Sequence, residues 1–233
     1  MFDAKKLLDQ FLGSQIPGLS GGSVKDRAGQ MGDLARNNPL KTGALAAAIL
    51  GTKTGRKLAG NVATLGGIAA IAGLGYLAYR NYQSGAKPQG LPQDPASLQP
   101  PAESPFHPQS ATLSNDFALT LLRAMIAAAK ADGHIDAFER QAIMQKVHAV
   151  DLGAEAEAFL ARELADPVDL DALVAAGRTE EQRVEIYTAS RLAIDPDTRA
   201  ERGYLDMLAG RLRLPDALVD HIEATVSSAK ISL

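Results

Sequence analysis

Apolar residues return every three or four positions through most of the chain beyond Ser114, a period that predicts helices rather than strands. Leu119, Leu122, Met125, Ile126 and Ala129 form the inward face of a first helix that starts near Ser114. Ile143 and Val147 extend the pattern into a second, which Asp136 opens as N-cap with Glu139 at the capping-box position. Further helices are predicted at 154–164 and 169–176, and from Thr179 through Ile194 with Thr179 and Gln182 as another capping box. Asp195-Pro196-Asp197 breaks the chain and restarts it into a helix over 199–212, and Pro215 starts a last one that ends near Ser228. Seven helices with turns too short for strands make a compact all-α bundle over residues 114–233.

Upstream the pattern changes. Residues 58–79 carry no charge for 22 positions, and at about 1.5 Å per helical residue such a run reaches across a hydrocarbon core of roughly 30 Å. We therefore expect a single transmembrane helix there, the soluble alternative being a buried, glycine-rich helical hairpin. Ala59, Ala63 and Gly67 lie four apart, as do Ala69 and Gly73, which offers small-residue faces for self-association in lipid. Tyr76, Tyr79 and Tyr82 suit an interfacial edge. Lys41, Lys53, Arg56 and Lys57 precede the run against Arg80 and Lys87 after it, which favours a cytoplasmic N-terminus. No basic stretch followed by a 7-to-15-residue apolar run marks a cleavable signal before residue 42.

Two flanking segments complete the organisation. Leu7, Leu8, Phe11 and Leu12 share one face of an N-terminal amphipathic helix, suited to a membrane surface or to packing on the rest of the chain, and Gly13, Pro17 and Gly18 end it. Gln83 to Pro108 contains seven prolines, which deny the backbone its helical hydrogen bonds and predict an extended tether. The expected division is 1–41 amphipathic helix and Gly-rich segment, 42–82 anchor, 83–113 linker and 114–233 helical domain.

Charge and composition narrow the function. Residues 114–233 hold 13 basic and 21 acidic side chains, a net −8, and the first 113 residues carry the balance, +5. An acidic domain behind a basic N-terminal part fits an anionic lipid surface at one end and argues against nucleic acid as the domain's ligand. With no cysteine, disulfides, zinc thiolates and thiol catalysis are excluded. His107, His134, His148 and His221 have no zinc-type spacing, and neither a P-loop nor a nucleophile elbow is present. The chain does not read as an enzyme.

The candidate chemistry lies in the corner Asp132-Gly133-His134-Ile135-Asp136, with Glu139 one turn on. Asp132, Asp136 and Glu139 can converge on a cation or a partner; they can equally serve as a C-terminal turn residue, an N-cap and its capping box around a glycine that accepts φ > 0. An EF-hand alignment fails, since Gly133 at loop position 6 puts Ala128 and Lys130 at positions 1 and 3, where oxygen ligands belong. Any metal there must recruit carboxylates from elsewhere. A second corner offers them: Glu201-Arg202 repeats Glu139-Arg140 at a separation of 62 residues, so Asp195, Asp197 and Glu201 can join the first three in one acidic patch.

Together these residues carry a resemblance. AMIAAAKADGHIDAFER resembles the helix-corner signature of the TerB-like tellurite-resistance superfamily, and the order of anchor, Pro/Gln linker and helical domain is similar to bacterial inner-membrane proteins of the YebE type. The resemblance implies an all-helical domain with a divalent-metal site on the acidic corners and no enzymatic reaction. Asp132, Asp136 and Glu139 match its motif; Asp195, Asp197 and Glu201 match it poorly. The expectation is a non-enzymatic, single-pass inner-membrane module, possibly serving a stress response, that binds a divalent cation or a protein partner at the cell envelope. Its alternative is a scaffold that self-associates through the span and uses the corners only as helix caps.

Overall fold

The computed structural model describes residues 3–12, 67–92, 95–111, 113–131, 141, 144 and 153–231. Among the described residues it has eight α-helices and no strand: α1 (Ala4–Leu12), α2 (Gly67–Gln83), α3 (Asn115–Ala129), α4 (Ala154–Ala165), α5 (Leu170–Ala176), α6 (Glu180–Ala193), α7 (Arg199–Arg211) and α8 (Asp216–Ile231). The helix predicted over 136–147 falls outside them, apart from Gln141 and Met144, which are helical.

The organising element is α6. Every residue from Val184 to Ala193 is buried, because α3, α2, α8, α7 and α5 all pack around it. Its start is capped by Thr179, whose hydroxyl accepts from the Gln182 amide at 3.3 Å. The other half of the expected capping box is displaced by one residue: the Gln182 side chain accepts from the Arg178 amide at 3.1 Å rather than from Thr179. A complete box does open α7, where Thr198 and Glu201 satisfy each other's backbone amides. Ser114 caps α3 through the Phe117 amide at 3.1 Å. The remaining helix starts and stops lie within a few residues of the sequence-derived ones.

The expected membrane span is not found. Among the described residues no helix is long and apolar enough to cross a membrane. Residues 58–66 of the expected span lie outside the described residues; residues 67–83 form α2, which is packed against α8, α6 and α1 with ten of its residues buried. A helix that is apolar all round is either a span or a core helix, and composition alone does not separate them. The glycines separate them here: a Cβ at Gly73 would stand 2.5 Å from the Leu98 carbonyl oxygen, and one at Gly75 would stand 3.4 Å from both Phe106 and Val184. At Gly73 and Gly75 the small-residue face therefore seats the protein's own chain, while Ala59 and Ala63 lie outside the described residues. The tyrosines read as an interfacial edge have partners too, Tyr76 and Tyr79 against the Phe106 ring at 6.1 and 5.6 Å and Tyr82 against His221 at 6.1 Å.

Nor is the proline-rich stretch a free tether. Prolines stop it from becoming a regular helix, but Leu98, Phe106 and Leu113 are buried in the core, and a 3-10 turn at Pro95–Leu98 lies on α2. Farther back, Gly90 comes so close to α8 that a Cβ would lie 2.6 Å from the Ser228 hydroxyl, and that hydroxyl accepts from the Leu91 amide at 2.9 Å. At the N-terminus α1 takes the packing role: Ala4, Leu7 and Leu8 are buried against α2 and α3, the Ala4 amide donates to Asn115 at 2.8 Å, and Asp9 accepts from the Ile68 amide at the start of α2.

Candidate functional site

α3 leads into the first acidic corner. Its last turn closes with the Lys130 amide donating to the Ile126 and Ala127 carbonyls and the Ala131 amide to Ala128. Asp132, Asp136 and Glu139, with His134 between them, lie outside the described residues. Ahead of them in the chain stands Lys130, the C-cap of α3. Its ammonium turns onto the C-terminal end of α4, donating to the carbonyls of Glu163 and Leu164 at 3.3 Å each and to that of Asp166. Those carbonyls have no partner within their own helix, and a lysine there also meets the negative end of the helix dipole. Burial lowers its pKa, with Asp166 and Glu163 acting against that.

Beside Lys130 runs a groove of about 450 Å³ between α3, α4 and α5, with Arg123, Ile126, Val168, Asp169 and Leu173 among its walls. Arg123 spans its upper edge, paired with Glu163 at 2.8 Å while its guanidinium lies 5.2 Å from the Phe159 ring.

Structure employs the second corner differently from the metal-site expectation. Asp195 pairs with Lys230 at 2.8 Å and with Arg191 at 3.7 Å. Glu201 is buried as the capping-box member of α7, accepting from the Thr198 amide and hydroxyl at 2.9 Å each. Asp197 is exposed, and its backbone carbonyl accepts from Arg202. Among the described residues no group of three or more acidic or histidine side chains gathers as a metal site would require. Asp132, Asp136 and Glu139 are not among those residues; at the second corner Thr198 is the N-cap of α7, a signal readable as Thr198-x-x-Glu201 but missed in the sequence.

Sequence reading also missed the buried charge network that joins α6 to α8. Arg191 donates to Glu223 at 2.6 Å, to Ser227 at 3.0 Å and to the Ile194 carbonyl at 2.9 Å, and Glu223 also accepts from the Tyr187 hydroxyl at 2.9 Å. Lys230 donates to the Ile194 and Arg191 carbonyls at 2.7 and 3.2 Å, which satisfies the end of α6. Burial pulls the Lys230 ammonium down to about 8, against the opposing pull of Asp195. Burial, reinforced by Glu223, pushes the Tyr187 hydroxyl far up. The carboxylates of this network, part-exposed at Glu223 and Asp195, are each held by a cation, and the network is a clamp. On α7, Arg211 pairs with Asp171 and Arg202 bonds the Pro196 and Asp197 carbonyls.

A family model described as "Protein of unknown function (DUF533)" matches residues 36–226, which include α2, the proline-rich segment and the helices through most of α8. A relative from Yersinia enterocolitica, described as "Uncharacterized protein in ampR 5'region", is 32% identical over 113 residues, covering 48% of this chain and 81% of that protein. No solved structure matches the chain.

Proposed function

Since the chain belongs to the DUF533 family, which is TerB-like, we propose that it is a non-enzymatic binding module whose working feature is the acidic corner at Asp132, Asp136 and Glu139, loaded by a divalent cation and read by a protein partner. The observation that carries this reading is the disposition of Lys130. From sequence, an ammonium two residues before Asp132 opposes a cation; in the fold that ammonium is spent on the carbonyls that end α4. That ammonium is therefore not available to oppose a cation, and residues 114–233 carry a net charge of −8 that favours one. Hard oxygen donors of this type suit calcium, magnesium or manganese better than softer ions.

The full-length protein should be titrated calorimetrically with calcium, magnesium, manganese and zinc, beside an Asp132→Asn/Asp136→Asn variant. Heat that the wild type shows and the double variant loses supports the reading. No binding by either protein, or equal binding by both, ends it. Lys130→Met gives a second check, since it removes a side chain already turned away and should leave cation affinity within about twofold while lowering stability.

A further inference from the structure

Glu185 is the least expected residue of the core. It is 1% exposed in the middle of α6, and its Oε1 has no hydrogen-bond partner; nor does the hydroxyl of Thr188, one turn along the same helix and fully buried. Buried polar atoms of native proteins are rarely left so, and a carboxylate in that position would be far costlier than a carboxylic acid. Among the described residues no opposite charge acts on it. On its own helix it feels Glu181, a like charge. From α2 the nearby polar group is Tyr79, which donates to Glu180 at 3.1 Å and feels Glu181 as well, while Arg80 lies over the Tyr76 ring. The cations of α3 are engaged elsewhere, Arg123 with Glu163 and Lys130 with the α4 carbonyls; on α8 Glu223 takes Tyr187 and Arg191 while His221 lies against Tyr82, on α7 Tyr204 is buried, and Arg211 of α7 pairs with Asp171 of α5. Burial first, and Glu181 second, push the Glu185 carboxyl up to about 8.

The seam at risk is the one with α2. Val184 and Thr188, one residue before Glu185 and one turn after it, face Gly75 so closely that a Cβ there would be 3.4 and 3.6 Å away, so the α2 seam runs along the stretch of α6 that carries the carboxyl. The α3 seam is tied by a buried bond from Ser190 to the Ala124 carbonyl, whereas α2 is joined to α6 by the Tyr79–Glu180 bond at its rim. We propose that Glu185 is a proton-operated catch on the α2–α6 seam: with its proton on, α2 stays packed, and loss of that proton favours a state in which α2 lifts and water reaches the carboxylate. The catch works in the direction of acid closing and neutral pH loosening, and it is independent of the acidic corner.

Hydrogen exchange of the full-length chain tests it, comparing protection factors of peptides from α2 and α8 at pH 5.5 and pH 7.5. A carboxyl that titrates only in the lifted state changes the opening equilibrium by up to tenfold per pH unit in this window, so wild-type α2 should lose up to about a hundredfold in protection, with α8 losing far less. Glu185→Gln and Glu185→Met, either of which suffices should the other fail to fold, should abolish the change. Wild-type α2 protection that is flat with pH overturns the proposal, as does a pH dependence that survives in the variants or an equal loss in α2 and α8.

Discussion

A methyl group added at Gly73 would press on the Leu98 backbone, whereas one added at Gly203 or Gly210 on α7 would meet nothing within 4 Å. Gly73→Ala should therefore cost about 1–3 kcal/mol, the usual penalty of overpacking, while Gly203→Ala and Gly210→Ala should each add up to about 1 kcal/mol by helix propensity. Urea melts of the three variants check this, and a harmless Gly73→Ala would contradict the seating of Leu98. Two of the shifted buried ionisable groups, Glu185 and Lys230, act on stability with opposite signs. Glu185 holds its proton in the folded chain up to about pH 8 against an ordinary 4.5, so its contribution is fully present below about pH 4.5 and is lost as pH rises to about 8. Lys230, pulled from 10.5 to about 8, binds fewer protons folded than unfolded between those values, so stability rises with pH across that window. Denaturation midpoints taken across pH should fall from about pH 5 toward 8 and recover above it. Glu185→Gln should flatten the falling limb and spare the recovery; a falling limb of unchanged slope would refute the assignment.

At the scale of elements, helix ends depend on side chains that bond the last free backbone groups. Thr198 supplies the N-cap of α7 and also donates to Glu201 at 2.9 Å, so Thr198→Ala should lower stability by about 1 kcal/mol or somewhat more. A chemical melt measures it, and an unchanged midpoint would mean the box is ornamental. How far the elements were legible follows from the same local chemistry. Ser114, Asp169 and Thr179 each precede a run of 3.6 period, and all three cap the helices that the sequence places there. Glu201 was misread because carboxylates at i+3 of a hydroxyl serve caps as readily as cations, and only the geometry distinguishes the two uses. The α2 error has a different origin: periodicity vanishes when a helix is buried all round, and lipid and protein interior then ask for the same residues. Lys130 and the clamp of Arg191, Glu223 and Lys230 were illegible for a third reason, since their partners lie 32 to 39 residues away and no local pattern reports such pairings.

For the whole molecule, the consequence is that the helical region after the proline-rich stretch does not stand apart from what precedes it. α2 covers faces of both α6 and α8, and Phe106 stacks under Tyr76 and Tyr79 while Leu98 fills the space above Gly73. Removing residues 1–109 would uncover those faces together, among them Val184 and Thr188 beside Gly75 and His221 beside Tyr82. Burying apolar area contributes roughly 25 cal/mol per Å², so losing a whole 17-residue helix from the core exceeds the 5–15 kcal/mol by which a domain is ordinarily stable. A fragment of residues 110–233 should accordingly keep helical far-ultraviolet dichroism but lose a cooperative thermal transition and bind a hydrophobic dye, as chains with secondary structure but loosened packing do. Phe106→Ala in the full chain, expected to cost about 3–5 kcal/mol, is the milder version of the same test. A fragment that melts as sharply as the whole protein, together with a neutral Phe106→Ala, would restore the proline-rich stretch to the role of a passive tether. The binding experiments belong on the intact chain for this reason: the corner at Asp132 is the continuation of α3, and α3 holds its place through α6 and α1, which rest in turn on α2.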